Sequence, residues 1–420
     1  MTLATIGSWL FVALTWVLAL GWLRQLILWL LNFSRVKDLN CIDLPVLPAS
    51  IDKGAADEFG SSPVPSLSPE LTVIVPARNE ETSIAATLRL LLASREIRLQ
   101  IIAVNDRSSD RTGEIMNAIA EEANIFQFNQ NLQNSIQIIH IKELPAEWLG
   151  KPHALVTAAA LAQSEWILFT DGDVLFDPRA LSLALRYALA EQADHLVLMP
   201  DWTMGSPGEA AMHGAMHALS TWTLHLWRVA DPGARDFIGV GAFNLVRRSA
   251  YEALGGFAAL PMEVMEDMRF GWKLKRAGYR QRVVLGPGLA RVRWSHGAWG
   301  VVRNLEKNLF AVYRFKTATA LFACFGLVVQ IALPLFALWV GGWAQVGAIV
   351  LYGAIAGLHI ASRKVTRVSP WYVLVYPLAA SLFLFAHVRS IVLALWRGGI
   401  LWRGTLYSLK ELRAHAGRFW

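Results

Sequence analysis

The chain is poor in charge and in cysteine. Only 17% of its 420 residues are charged, 55% are hydrophobic, and it has two cysteines. Cys324 lies inside an apolar run, and neither Cys41 nor Cys324 belongs to a pairing or metal-binding pattern. A disulfide framework is therefore excluded, and a reducing compartment fits. So little charge is not typical of a soluble globular protein and indicates segments within a membrane.

Acidic residues are fewer than basic ones, which gives a formal net charge of +7. The Lys and Arg residues cluster beside the apolar runs and do not form a separate basic domain. This arrangement is typical of contact with the cytoplasmic face of a membrane, and we expect no nucleic-acid partner.

The first apolar run, residues 6–31, is long enough to cross a bilayer, which takes roughly 20 residues. It has neither the basic start nor the small-residue cleavage site of a signal peptide. We predict that residues 1–34 are a transmembrane anchor. Arg35 and Lys37 follow it, so the positive-inside rule predicts a cytoplasmic domain on an inner or plasma membrane.

Three more apolar runs lie near the C-terminus, at 318–340, 343–361 and 371–396, and we predict transmembrane segments over 318–396. The last run contains His387 and Arg389 and precedes a basic tail, 397–420. If it crossed fully, the tail would lie outside, against the charge rule. A shorter span, a re-entrant hairpin or an interfacial end would each resolve this, and the sequence leaves the three open.

Between the membrane segments, a Ser-, Pro- and Gly-containing stretch predicts a linker over 35–69. Residues 70–290 then alternate between apolar β-type runs and helical periodicity. The predicted strands are 71–77, 99–106, 135–141, 165–171 and 194–200, and the predicted helices are 82–94, 151–164 and 178–192. This alternation predicts an α/β fold with a mostly parallel sheet.

Polar loops follow three of these strands, at 76–81, 105–112 and 170–173. Parallel strands would bring them to one sheet edge, where ligands bind in open α/β sheets. Asp171 and Asp173 carry the oxygen ligands that Mg²⁺ or Mn²⁺ prefers, and Gly172 would let a phosphate approach the backbone. Asp173 is the stronger candidate for a direct ligand, while Asp171 either joins it or contacts the ribose or a metal-bound water. A plain turn or helix cap is the alternative.

Five segments in order, "VPARNEE", "VNDRSSDRT", "GKPHAL", "TDGDV" and "MEDMRFGWKLKRAGY", resemble the family 2 glycosyltransferases of the GT-A fold over about residues 70–315. The resemblance implies inverting transfer of a sugar from a nucleotide-sugar donor, and we expect a UDP-linked one. It implies nucleoside binding by the first loop (Pro76, Ala77, Arg78 and Glu80) and contact of Asp106 with the base or ribose. Lys151 would reach the nucleotide or its phosphates, and Asp171 and Asp173 would form the metal–diphosphate motif.

The resemblance also identifies Asp267 as the catalytic base. Inversion needs a carboxylate that takes the acceptor's proton while the diphosphate leaves. Acidic residues are also favoured at a helix N-terminus, and for Glu263 and Glu266 this structural role is as plausible as a functional one. In the segment 237–257, Gly241 and Ala242 would allow close approach at the acceptor side, although a tight strand entry is equally plausible.

His213 and His217 stand four residues apart, but no acidic motif accompanies them, so we predict an acceptor-facing or membrane-surface helix rather than a zinc site. Residues 291–317 predict an interfacial amphipathic helix. Processive synthases of the family carry Q-x-x-R-W here, whereas Ala290 stands three positions before Arg293.

The finer resemblance is to membrane enzymes that glycosylate carotenoid acids, hopanoid-associated lipids and ceramides, and it implies a membrane lipid acceptor. The alternatives are a processive polysaccharide synthase, a polyprenyl-phosphate glycosyltransferase, or a membrane transporter or scaffold that only binds nucleotide.

Overall fold

Thirteen strands and fourteen helices form the part of the chain that the computed structural model describes, residues 3–45, 69–130 and 134–417. The strands are β1 (Lys37–Asp38), β2 (Leu71–Ala77), β3 (Leu99–Asp106), β4 (Ser135–Ile141), β5 (Trp166–Phe169), β6 (Val174–Phe176), β7 (His195–Met199), β8 (Asp201–Trp202), β9 (Asn244–Arg247), β10 (Gln281–Leu285), β11 (Ala290–Val292), β12 (Gly399–Trp402) and β13 (Thr405–Ser408). The helices are α1 (Leu3–Asn32), α2 (Ile84–Leu92), α3 (Thr112–Gln130), α4 (Gly150–Ala159), α5 (Ala180–Ala190), α6 (Pro207–Ser220), α7 (Arg248–Ala253), α8 (Glu266–Arg276), α9 (Gly297–Leu305), α10 (Asn308–Val312), α11 (Thr317–Val340), α12 (Gly342–Thr366), α13 (Tyr376–Trp396) and α14 (Leu409–His415).

The central sheet has the strand order β1-β10-β7-β9-β5-β2-β3-β4. All neighbouring pairs are parallel except those of β9, which runs antiparallel to β5 and β7. Every residue of β2 is buried, because helices cover both faces of the sheet and the strand can be apolar throughout. The prediction of a mostly parallel α/β fold is confirmed.

Strands β2, β3 and β4 have the predicted bounds. Strand β5 ends at Phe169, two residues before the predicted end, so Asp171 lies wholly in the loop. Helix α4 ends at Ala159 rather than at 164, and helix α3 was not predicted.

The stretch predicted as a linker, 35–69, contains structure at its start. Strand β1 pairs in parallel with β10, with Lys37 opposite Val284, and extends the sheet by one short strand. Residues 46–68 lie outside the described part of the chain.

Four helical segments are long and apolar enough to cross a membrane: Thr5–Arg35, Thr317–Val340, Gly342–Thr366 and Pro370–Trp396. Large apolar side chains such as Phe322, Trp339 and Trp371 point outward from them and are exposed in the isolated chain. Such a surface needs an apolar environment.

Both flanks of α13 contact the α/β domain. Before the helix, Arg367 bonds Asp201 beyond the end of β7, with 2.6 Å between Nη2 and Oδ2. After it, Arg403 bonds Glu80 beyond the end of β2, with 2.9 Å between Nη2 and Oε1. A helix of 21 residues is about 31 Å long, so α13 extends along the domain between these two attachments.

The segment predicted as one amphipathic helix forms two, α9 and α10, which are separated at Glu306 and Lys307. Two arginines of the α13 region bind the Glu306 carboxylate: Arg389 at 3.0 Å and Arg397 at 2.7 Å. The expectation of a single helix is therefore wrong, and the break lies where these ion pairs hold the chain.

Candidate functional site

The loops after β2 and β3 bind each other through side chains. The Asn79 side-chain oxygen accepts a hydrogen bond from the Ser109 amide at 2.9 Å, and the Glu80 amide donates to the Thr112 hydroxyl at 2.8 Å. Asn79 itself has a positive φ of 56°, a conformation that Asn tolerates better than most residues. The first two predicted loops thus meet at one sheet edge.

Asp106 ends β3 and is buried beside the start of α4. The Arg107 guanidinium donates to both of its carboxylate oxygens, at 2.7 and 3.1 Å. A Cβ on Gly150 would lie 2.3 Å from the Asp106 carboxylate, so glycine is required there. Arg78, from the first loop, lies near this pair, and its Nε is buried without a hydrogen bond among the described residues.

Lys151 lies at the centre of the site, in the first turn of α4. Its Nζ is 2.6 Å from Asp171 Oδ1 and 2.7 Å from Glu266 Oε1. Burial opposes the charge of Lys151, but Asp171 and Glu266 outweigh it and hold the Lys151 pKa well above its usual value. Burial likewise tends to raise the pKa of Asp171, but Lys151 outweighs it and that pKa is lowered. Both groups are therefore charged.

Asp173 lies among other acids, whose charge Lys151 offsets only in part. Burial, then Asp171, then Glu80 raise its pKa to about 7. The turn between the two aspartates is fixed by Thr87, whose hydroxyl donates to the Gly172 carbonyl at 3.0 Å. A Cβ on Gly172 would find only ordinary contacts, the nearest at 3.4 Å, so the protein itself does not require glycine there.

The chain before β9 closes the site from the other side. A Cβ on Gly241 would lie 2.7 Å from Asp171 Oδ2 and 3.0 Å from Lys151 Nζ, so the backbone here packs closely against these two side chains. A Cβ on Gly239 would lie only 1.9 Å from the Asp267 carbonyl oxygen. The backbone here therefore packs directly on the first turn of α8 and holds Asp267 beside the other acids.

Asp267 accepts a hydrogen bond from the Met268 amide at 2.7 Å. Burial and the neighbouring Glu266 raise the pKa of Asp267 to about 7, against the opposing effect of Lys151. A carboxylate with a pKa near neutrality is well suited to take up a proton. Lys151, Gly241, Glu266 and Asp267 line one small cavity together with Thr170.

Two cations that sequence reasoning missed complete this edge of the sheet. Arg403, in the segment predicted as a basic tail, binds Glu80, and Lys307 lies with its Nζ 4.0 Å from the centre of the Trp402 ring. A local signal for the position of Arg403 was present in "LWRGTL", where apolar residues flank an Arg-Gly pair that can form a hairpin turn.

Other residues singled out in the sequence lie away from this centre. His213 packs against the Trp202 ring at 4.1 Å, and His217 against Trp29 at 5.0 Å. Glu263 binds Arg314 at 2.8 Å, a buried structural pair.

Comparison with known proteins assigns the domain. Residues 72–255 match the family model for glycosyl transferase family 2. A 4,4'-diaponeurosporenoate glycosyltransferase of Staphylococcus haemolyticus is 25% identical over 210 residues, 49% of this chain and 52% of that protein. Its namesake in Staphylococcus aureus is 22% identical over 203 residues, 48% of this chain and 50% of that protein. The chain thus spans about half the length of these curated relatives.

Among solved structures, the mannosyltransferase PcManGT from Pyrobaculum calidifontis, in complex with GDP-Man and Mn²⁺, superposes with a TM-score of 0.52 at 18% identity. The superposition covers 91% of this chain and 99% of that one, and at this identity it supports the fold alone. The chain therefore contains a segment, residues 72–255, that matches glycosyl transferase family 2, and its α/β fold is GT-A-like.

Proposed function

We propose that the chain transfers a sugar from a nucleotide-sugar donor to a hydroxyl or carboxyl group of a membrane lipid, with inversion at the anomeric carbon. One observation carries the proposal: Asp171, Asp173, Lys151 and Asp267 meet at one sheet edge of a domain that is attached to apolar helices. A UDP-linked donor remains the expectation from the resemblance.

In this reaction, Asp267 takes the proton of an acceptor hydroxyl as its oxygen attacks the anomeric carbon. The bond between that carbon and the diphosphate oxygen breaks, and the nucleoside diphosphate leaves with the bonding electrons. Lys151 holds Asp171 and Glu266 in place through its two short contacts. In our proposal the nucleoside is bound at the ends of β2 and β3, by Pro76, Ala77, Arg78, Glu80 and Asp106.

The residues at the strand end fit a divalent cation with few protein ligands. Asp173 carries excess negative charge beside Asp171 and Glu80. No group of three or more His, Cys, Asp or Glu side chains in the described ranges could enclose a metal ion. Mg²⁺ commonly uses one or two carboxylates and completes its shell with substrate phosphates, so Asp173 and Asp171 would hold it or Mn²⁺. When bound, such an ion neutralises the charge of the leaving diphosphate.

A lipid acceptor is supported by the apolar helices and by the names of the relatives, which specify 4,4'-diaponeurosporenoate for those proteins. In our proposal α1, α11 and α12 cross the membrane, while α13 lies along its surface with Leu378, Phe385 and Trp396 directed toward lipid. The positive-inside rule assigns the domain and the basic tail to the cytoplasmic side.

The test is to incubate membranes that contain the protein with radiolabelled UDP- and GDP-sugars and to extract the lipids. We expect one labelled lipid with a single sugar, and we expect Asp173→Ala and Asp267→Ala to abolish it while the protein still inserts. A polymeric product would identify a processive synthase, and a labelled polyprenyl phosphate would identify that alternative acceptor. Nucleotide binding without any transfer would favour the transporter or scaffold.

A further inference from the structure

The hairpin of β12 and β13 extends from the end of α13 to the candidate donor site. Its two turn residues, Arg403 and Gly404, have φ angles of 48° and 80°, which is the geometry of a two-residue type I′ turn. Trp402, next to the turn, and Tyr407, further along the hairpin, are both buried, and Tyr407 interacts with Arg107, the partner of Asp106. The fold therefore presents Arg403 at a defined place above the loop after β2.

Lys307 approaches the same place from the break between α9 and α10. Among the described residues its ammonium has no ion pair or hydrogen bond in the structure, and its contact is the face of the Trp402 ring at 4.0 Å. The two arginines on the adjacent Glu306 hold the backbone there. A cation–π contact of this kind is weaker than a charge-assisted hydrogen bond to a phosphate oxygen, so a phosphate can replace it.

Both cations lie close enough to Asp171, in the loop after β5, to act on its charge. Arg403 and Lys307 both lower the pKa of Asp171, after the larger effects of burial, which raises it, and Lys151, which lowers it. Lys151 is already held by two carboxylates. Within the part of the chain that the structure describes, Arg403 bonds one partially exposed carboxylate, Glu80, and Lys307 bonds none. Two cations are thus available to a ligand that brings negative charge to Asp171 and Asp173.

We propose that Lys307 and Arg403 together bind the diphosphate of the donor and stabilise the nucleoside diphosphate as it leaves. The inference rests on the proposed function, because it requires a nucleoside diphosphate at this edge of the sheet. When the bond to the anomeric carbon breaks, negative charge develops on the terminal phosphate oxygen, and these two side chains supply compensating charge from outside the family-matched segment. Arg403 exchanges Glu80 for phosphate in this step, which frees the Glu80 carboxylate.

The affinity for a diphosphate at alkaline pH tests the role of Lys307 independently. Burial lowers its pKa to about 8; Glu266 and Asp171 oppose this shift, and Lys151 and Arg403 add to it. Above that pH the amine loses its charge, so affinity for a diphosphate should fall in the wild type. A Lys307→Met variant, which has no charge to lose, should lack this fall, whereas Lys307→Arg should remain charged and move it to higher pH.

The experiment is calorimetric titration of the purified full chain in detergent with UDP, GDP, UMP and GMP in the presence of Mg²⁺. Lys307→Met and Arg403→Gln should each weaken diphosphate binding by about 10- to 100-fold and change monophosphate binding little. Lys410→Met, on the exposed surface of α14, is the matched control and should bind as the wild type does. Thermal unfolding checks that the hairpin variants are folded.

The outcomes separate the two proposals. A wild type that binds none of the four nucleotides would overturn the proposed function and, with it, this inference. A wild type that binds a diphosphate tightly, with folded Lys307→Met and Arg403→Gln variants of equal affinity, would overturn the inference alone.

Discussion

Replacing Asp267 with Asn separates a catalytic role from a structural one, because the two roles predict opposite effects on stability. Asn keeps the size of the side chain and an oxygen that can accept the 2.7 Å hydrogen bond from the Met268 amide. It removes only the charge and the capacity to take a proton. General base catalysis contributes typically 10²- to 10⁴-fold, so Asp267→Asn should lower kcat by roughly that factor, or about 3–5 kcal/mol in activation free energy.

Stability should change in the other direction. The pKa of Asp267 is raised from 3.8 to about 7, so the folded state disfavours the ionised carboxylate. The resulting destabilisation is absent below about pH 4, grows as the pH rises, and is complete above pH 7. It amounts to about 4 kcal/mol at most. Asp267→Asn removes this cost, so at pH 8 the variant should unfold at the same or a higher temperature than the wild type.

The assay is sugar transfer to extracted lipid at saturating donor, combined with thermal unfolding in the same detergent at pH 5 and pH 8. Glu252→Gln, an exposed acid on α7, is the control for loss of one negative charge. A variant with more than a tenth of wild-type kcat would refute the assignment of Asp267 as base and would indicate an acceptor that arrives already ionised, such as a carboxylate. A lower unfolding temperature at pH 8 would refute the electrostatic reasoning and favour a helix-terminus role.

Three further predictions follow from the geometry. Asp173→Asn should weaken Mn²⁺-dependent transfer at least 100-fold, which a metal titration of activity would measure; unchanged metal dependence would contradict the ligand assignment. In wild type, kcat/KM should rise with pH through about 7 as Asp267, together with Asp173, loses its proton, while Lys151 and Asp171 remain charged beside it; a flat profile between pH 6 and 7.5 would argue against this base. The topology can be tested with Gln345→Cys, near the start of α12, and Lys410→Cys, each in a variant that lacks both native cysteines. An impermeant maleimide applied from outside should label the first and not the second. Labelling at position 410 would show that α13 crosses the membrane.

Much of the fold was predictable because its signals are local. Strands β2, β3 and β4 are short segments rich in Val, Ile and Leu, and their predicted bounds match the structure. The convergence of Glu80, Asp106 and Asp171 followed from one rule, that the carboxyl ends of parallel strands share an edge. For Gly241 the sequence left two roles open, close approach at the acceptor side or a tight strand entry, and the packing of Gly241 on Asp171 and Lys151 does not decide between them.

The rest depends on contacts between distant parts of the chain. Arg403 and Glu80 are 323 positions apart, and nothing near either residue indicates the other. The break at Glu306 interrupts a continuous helical periodicity, because Arg389 and Arg397 bind the carboxylate from the α13 region. Gly239 resembled an ordinary loop glycine, and only the packing of α8 shows that a side chain there would collide with the backbone.

The attachment of the hairpin has a consequence for the order in which this protein matures. The ribosome releases residues 399–408 only after every apolar helix has been made, and the hairpin follows directly from the last of them. Arg403, Trp402 and Tyr407 can therefore join Glu80, Lys307 and Arg107 only once α13 has docked beneath the α/β domain. On the proposed topology, synthesis in this order couples membrane integration to completion of this edge, so a domain that folded before α13 docked would lack Arg403, Trp402 and Tyr407 there.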